Sequence, residues 1–166
     1  NSFTANPFKP RGNMHVAVVG LHYGHIGGML SSARKACDVK WVGVVEDDET
    51  LCQRHLGDLT MPRYRDIDQL LAEARPELVI EGLRHDEKTS LVERCAAANV
   101  HLIMDKPLCR SQKDWHRMQA ALSQSSSELS MWFTSRSYPP CIALRDLVAS
   151  GELGDLVSLL STHPHK

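Results

Sequence analysis

The chain has 166 residues, with 19 Lys and Arg against 20 Asp and Glu and a formal net charge of −1. Hydrophobic residues make up 42% and charged residues 23%, a globular composition that excludes a disordered or fibrous chain. No apolar run approaches the roughly 18–20 residues of a membrane helix, and the balanced charge argues against a nucleic-acid surface.

Five cysteines stand at positions 37, 52, 95, 109 and 141. None forms a C-x-x-C pair and the spacings match no zinc pattern. They read as free thiols, most of them packed as small hydrophobes, in a reducing compartment, which points to the cytoplasm. Residues 1–13 are polar, with two prolines and a glycine, and lack the apolar stretch of a secretory signal. We read them as an N-terminal extension and begin the domain at Met14.

The run His15–Val19 (HVAVV) ends in Gly20 and predicts a buried strand. A helix follows over about 24–37, then a strand over Val39–Val45 closed by Glu46-Asp47-Asp48-Glu49. Asp47 to Glu49 suit the positive end of a helix dipole. Pro62–Tyr64 predicts a short strand. Ile67, Leu70, Leu71 and Ala74 recur at helical spacing, with Asp66 at the cap. Glu77–Ile80 reads as a strand, 86–98 as a helix with Asn99 as its left-handed stop, and His101–Met104 as a strand running into Asp105-Lys106-Pro107. A helix over 111–122, a polar connection over 123–128, a strand over Leu129–Thr134 and a helix over 140–149 come next. A last strand is expected over 155–161. Trp41, Trp115 and Trp132 read as packing. Strand alternating with helix gives parallel βαβ units. The expected fold is α/β, a doubly wound parallel sheet of the Rossmann, dinucleotide-binding kind over 14–135. It is followed over 136–166 by the first elements of a truncated α+β second domain.

Chemistry enters at the turn Gly20-Leu21-His22-Tyr23-Gly24-His25-Ile26. A phosphate site needs backbone N–H groups at a helix start and glycines that let the chain approach. Gly20 fits the tight-turn glycine, His22 occupies the middle glycine's place, and Gly24 completes a G-x-x-x-G. Glu46 ends the next strand, near the roughly 20-residue offset of a ribose-binding acid. A carboxylate there accepts from ribose hydroxyls and repels a 2′-phosphate, favouring NAD over NADP. A methyltransferase that binds S-adenosylmethionine would share this turn and acid. His22 and His25 lack a third ligand, so no metal site is expected.

The second chemical feature is the Asp105-Lys106-Pro107 corner. Ligands of open α/β sheets sit at the carboxyl ends of strands, where a lysine can donate to a substrate oxygen and stabilise alkoxide charge. Proline there fixes the chain and is open to a cis bond. Arg136 lies where it could face substrate or cofactor.

Taken together, these segments resemble the Gfo/Idh/MocA family of NAD(P)-dependent oxidoreductases. The resemblance rests on the glycine turn, Glu46, Arg63–Leu71, Ala98–Leu108 with Asp105-Lys106-Pro107 in place of Glu-Lys-Pro, and Leu147–Asp155. It implies a dehydrogenase acting on a sugar- or polyol-like small molecule, with Lys106 catalytic. It also implies that Gly20, His22, Tyr23, Gly24, His25, Ile26, Glu46, Asp105 and Pro107 bind NAD, or alternatively NADP. No nucleic-acid or membrane partner is implied; a homo-oligomer is. His22 replaces the middle glycine, and Gly82-Leu83-Arg84 followed by Glu87 replaces the family's Thr-Pro-Asn and His. Members of the family are longer, and their second domain supplies an acid/base Asp and His. A non-catalytic dinucleotide sensor of the same fold is the competing expectation.

Overall fold

A computed structural model describes residues 13–35 and 39–162. The N-terminal extension, Cys37, His163 and His165 lie outside the described residues, apart from Asn13. Through Trp132 the chain forms one compact unit, and from Phe133 a second.

In the first unit the elements alternate: β1 (Met14–Val19), α1 (His25–Lys35), β2 (Val39–Val45), α2 (Glu49–Leu56), α3 (Ile67–Glu73), β3 (Leu78–Glu81), α4 (Lys88–Ala97), β4 (His101–Asp105), α5 (Gln112–Ser123) and β5 (Leu129–Trp132). The strands form one parallel sheet in the order β2-β1-β3-β4-β5. Strand residues alternate between two cores, as the two-residue period requires. Ala17, Val19, Val79, Leu102 and Met104 join Leu70 of α3, Val92 of α4 and Met118 of α5 on one face. Val16, Val18, Val44 and Ile80 join Ile26, Met29 and Leu30 of α1 and Cys52 of α2 on the other. The sheet is therefore doubly wound.

The chain turns back on itself at β1. From β1 it moves outward to β2, then crosses to β3 on the opposite side, which places the switch point between β1 and β3. Pro62–Tyr64 is not the strand expected. It makes a single parallel bridge, Arg63 to Val44, through Val44 N–H to Pro62 O and Tyr64 N–H to Val44 O, both 2.9 Å. That bridge occupies the outer position of a six-strand Rossmann order, 3-2-1-4-5-6.

Local chemistry sets the element ends. Asp48 caps α2, accepting from Thr50 and Leu51 N–H, so the acids after Glu46 do serve a helix start. Asp66 caps α3 and Ser111 caps α5, each supplying an acceptor to orphan N–H groups. Asn99 stops α4 with φ of 57°. Cys52 and Cys95 are core residues, and burial pushes the Cys95 thiol up to about 12. Cys109 is half-buried and packs against the same core as Cys95, whereas Cys141 is exposed, so three of the four described cysteines pack as small hydrophobes. Trp41 and Trp132 pack against the α1–α2 core, whereas Trp115 is exposed.

The second unit holds a 3-10 turn (Thr134–Ser137) and α6 (Pro139–Ala149), which Pro139 opens. Arg136 belongs to this turn and not to a strand end. The strand expected through Thr134 stops at Trp132. The strand expected over 155–161 is absent: those residues are unpaired, with Val157 94% exposed, and a strand without a ladder partner has nothing to hold it extended. Among the described residues no helix is long and apolar enough to cross a membrane.

Gly82 explains why the β1 and β3 edges close so tightly. A Cβ there would stand 2.6 Å from Gly20 O, a backbone atom that cannot step aside. Gly82→Ala is expected to lower stability by about 1–3 kcal/mol, read as a reduced urea midpoint. Gly24→Ala, whose Cβ meets nothing within 4 Å, should stay within about 0.5 kcal/mol of wild type.

Candidate functional site

The candidate site is built on the carboxyl ends of β2, β1, β3 and β4, beginning with the turn after β1. Gly20 adopts φ of +75°, a conformation suited to glycine. Its N–H donates to Val45 O (2.9 Å), and His22 N–H donates to Gly82 O (2.8 Å). The turn is thereby stitched to both neighbouring strand ends. Tyr23, Gly24 and His25 N–H make no hydrogen bond among the described residues and stand at the start of α1, where N–H groups point outward.

Glu46, at the end of β2, is buried. Its Oε2 accepts from Leu21 N–H (2.8 Å) and its Oε1 from Asp48 N–H (3.0 Å), while His22 Nδ1 lies 3.4 Å from Oε2. Each carboxylate oxygen retains a lone pair after one such bond. On the far side of the switch point, Asp105 ends β4. His25 Nδ1 donates to both of its oxygens (3.0 and 2.9 Å), which assigns the proton to Nδ1 because a carboxylate only accepts. Asp105 Oδ1 also accepts from Lys106 N–H (2.8 Å). Lys106 is exposed, and its bond to Pro107 is cis.

Gly20, His22, Tyr23, Gly24, His25, Glu46, Asp105, Lys106 and Pro107 thus all lie at the carboxyl ends of the strands or in the turns that follow them. Ile26 differs: its side chain lies in the core under α1 and only its backbone faces the turn. Arg136 belongs to the other compact unit.

Sequence reasoning missed three residues. Glu81 and Lys88 are both 0% exposed. Glu81 accepts from Leu83 N–H (2.8 Å) and Asp105 N–H (3.1 Å), and Lys88 Nζ donates to Asp105 O (2.6 Å) and Pro107 O (3.2 Å) and lies 3.3 Å from Glu81 Oε2. Glu81 carried the same signal as Glu46, an acid closing a buried strand. Lys88 carried none, since a lysine in a helix start usually faces water. The third is His85, whose ring stacks on Tyr23 with centroids 4.6 Å apart and planes 3° from parallel, joining the two loops that flank the switch point. Burial pushes the Glu81 carboxyl above its ordinary range, while the Lys88 ammonium and the two amides pull it down.

A glycine turn at a helix start, an acid ending β2 and a lysine corner ending β4, gathered at the switch point of a doubly wound sheet, define a Rossmann dinucleotide-binding domain. The chain belongs to the Gfo/Idh/MocA oxidoreductase family, whose NAD-binding Rossmann model matches residues 14–133. It is similar to YteT of Bacillus subtilis (strain 168), described as an oxidoreductase, with 20% identity over 112 residues, 66% of this chain and 26% of that protein. An oxidoreductase from Agrobacterium radiobacter, solved with NAD+, L-tartaric acid and magnesium, superposes with TM-score 0.77 at 20% identity, covering 86% of this chain and 42% of that one. Myo-inositol 2-dehydrogenase from Lactobacillus plantarum superposes with TM-score 0.76 at 14% identity, covering 87% and 43%. The chain therefore spans less than half the length of these proteins.

Lys88→Met would leave Glu81 buried with no cation beside it. The carboxyl would then hold its proton in the folded state to higher pH than in the unfolded chain. Stability from a raised carboxyl is present below the unfolded pKa and lost as pH rises through the folded one. The variant should fall about 3–5 kcal/mol below wild type near pH 8 and less near pH 5, as measured by urea unfolding at both.

Proposed function

We propose that this chain is the cofactor-binding part of an NAD(P)-dependent oxidoreductase that moves a hydride between nicotinamide and a hydroxyl-bearing carbon of a sugar- or polyol-like molecule. The observation that carries the reading is the placement of Glu46 and Lys106 at the ends of β2 and β4, on either side of the glycine turn. Three strand spacings separate β2 from β4, about 14 Å, a span suited to a dinucleotide laid across the switch point.

The residues fit such a group. Three N–H groups without a partner among the described residues (Tyr23, Gly24, His25) suit a pyrophosphate at the start of α1. Gly24 leaves open the space a Cβ would fill. A cleft of about 390 Å³ is apolar at Val19, Val45 and Leu83 and charged at Arg65, Asp86 and Arg94; its apolar end, where Val45 directly precedes Glu46 in the chain, has room for a flat ring. Glu46 accepts from the ribose hydroxyls and disfavours a 2′-phosphate, which supports NAD as the preferred cofactor and NADP as the weaker one.

When bound, the nicotinamide supplies or accepts the hydride. Lys106 holds a proton at Nζ and donates it in a hydrogen bond to the substrate oxygen, stabilising negative charge as it develops there. Asp105, held by His25 and by Lys106 N–H, keeps the corner oriented and is not the proton donor. Residues 14–135 hold the cofactor in this reading, and residues 136–166 open the substrate domain, from which the second proton-transfer group comes. By itself the chain is expected to bind without turnover; the longer protein is expected to reside in the cytoplasm and to pair through the sheet of its substrate domain.

Calorimetric titration with NAD and NADP tests this. NAD should bind more tightly, and Glu46→Gln should narrow the gap by about tenfold, the worth of one charge-assisted hydrogen bond of roughly 1.5 kcal/mol. Gly24→Ala should weaken both cofactors by a similar factor with its melting unchanged. Absence of binding by the folded chain would overturn the reading; S-adenosylmethionine binding in its place would reassign it.

A further inference from the structure

The Lys88 ammonium has three protons and three acceptors: Asp105 O, Pro107 O and Glu81 Oε2. The two carbonyls bracket Lys106. Ladder pairing explains why they need a donor. Register between β3 and β4 ends at Ile80 and Ile103, whereas β4 stays paired with β5 through Asp105 and Trp132. On its β3 side, the last stretch of β4 therefore lacks backbone partners. Glu81 Oε2 takes the Asp105 N–H and Lys88 takes the Asp105 carbonyl, so two side chains stand in for the missing rungs. A fully buried lysine is a costly way to fill space, and an apolar residue of similar volume would pack as well. What a methionine could not do is hold both carbonyls on either side of Lys106.

We propose that Lys88, paired with Glu81, is a positioning residue: it fixes the backbone on both sides of Lys106 and so sets where the Lys106 ammonium stands over the nicotinamide half of the dinucleotide. The proposal rests on the dinucleotide reading above. Lys106 itself is exposed and ends a flexible side chain, so its anchor decides its reach, and a misplacement of about 1 Å at a reacting centre can cost on the order of a hundredfold. The Glu46 end of the crevice is served by other contacts, from Leu21 and Asp48 N–H. Loosening the Lys106 corner should therefore be felt at one end of the ligand only.

NADH and ADP-ribose, which lacks nicotinamide, separate the two ends. Because the Lys106 corner closes over the nicotinamide half, Lys88→Met should weaken NADH binding by about tenfold, equivalent to about 1.4 kcal/mol, and leave ADP-ribose within about twofold, by fluorescence and calorimetry respectively. Because Lys88→Met strands the Glu81 charge, Glu81→Gln/Lys88→Met serves as the variant that removes the donor without leaving an unpaired buried carboxylate, with the same split expected. Wild-type chain gives an arm that needs no variant. Coupling is reciprocal, so amide exchange at Asp105, whose N–H is held by Glu81, should slow with NADH and not with ADP-ribose. A folded variant that binds NADH as wild type does, or loses both ligands equally, overturns the proposal. So does equal protection of Asp105 by both ligands. Wild-type chain that binds neither ligand fails the dinucleotide reading first, and this inference with it.

Discussion

A carboxylate and an ammonium, both shut off from water, close the edge of the sheet on which the candidate site is built. Glu81 and Lys88 together take up two amides and two carbonyls where β3 and β4 part. Desolvating two charges costs several kcal/mol each, and mutual attraction offsets it only where the remaining hydrogen-bonding capacity is filled. Here it is filled: every Lys88 proton has an acceptor, and both Glu81 oxygens accept backbone N–H groups. The pair thereby lets two strands end in the interior and still release an exposed lysine.

The same logic runs along the whole edge. A purely apolar core would leave backbone groups orphaned wherever strands of unequal length stop. At β2, Glu46 ties the β1 turn to the chain that leads into α2. At β4, Asp105 ties α1 to the Lys106 corner through His25. Each acid is buried or nearly so and satisfied by N–H groups, so three carboxylates hold the loops of four strands in register. The close approach of Gly20 and Gly82 completes the arrangement by bringing the two loops at the switch point together, and the Tyr23–His85 stack adds about 0.5–1.5 kcal/mol across the same gap.

This construction separates two kinds of residue at one site. Glu81, Lys88 and Asp105 are buried and fully engaged, and they shape the crevice. Lys106, His22 and Gly24 are exposed and leave room for a ligand. A Rossmann domain that departs from the common glycine pattern at His22 can keep its turn because the conformationally demanding position is Gly20, and because the turn is held by the backbone N–H groups of Leu21 and His22 and by the buried Leu21 side chain, none of which needs a glycine at position 22.

The sequence by itself determined the alternation of strands and helices, the acids that cap α2 and α3, the stop at Asn99, the family, and the gathering of Gly20, Glu46 and Lys106 at strand ends. These are local properties: hydrophobic period, capping chemistry and the reach of a few residues. It overstated Pro62–Tyr64 and 155–161, because an extended segment becomes a strand only when a neighbour supplies a ladder, and neighbours are chosen by the tertiary fold. The Glu81–Lys88 pair and the Tyr23–His85 stack were decided by tertiary structure alone. Lys88 meets Glu81 only once α4 packs back on the end of β3, and Tyr23 meets His85 only once the β1 turn folds against the loop that follows β3. No spacing along the chain marks a lysine that burial will turn inward.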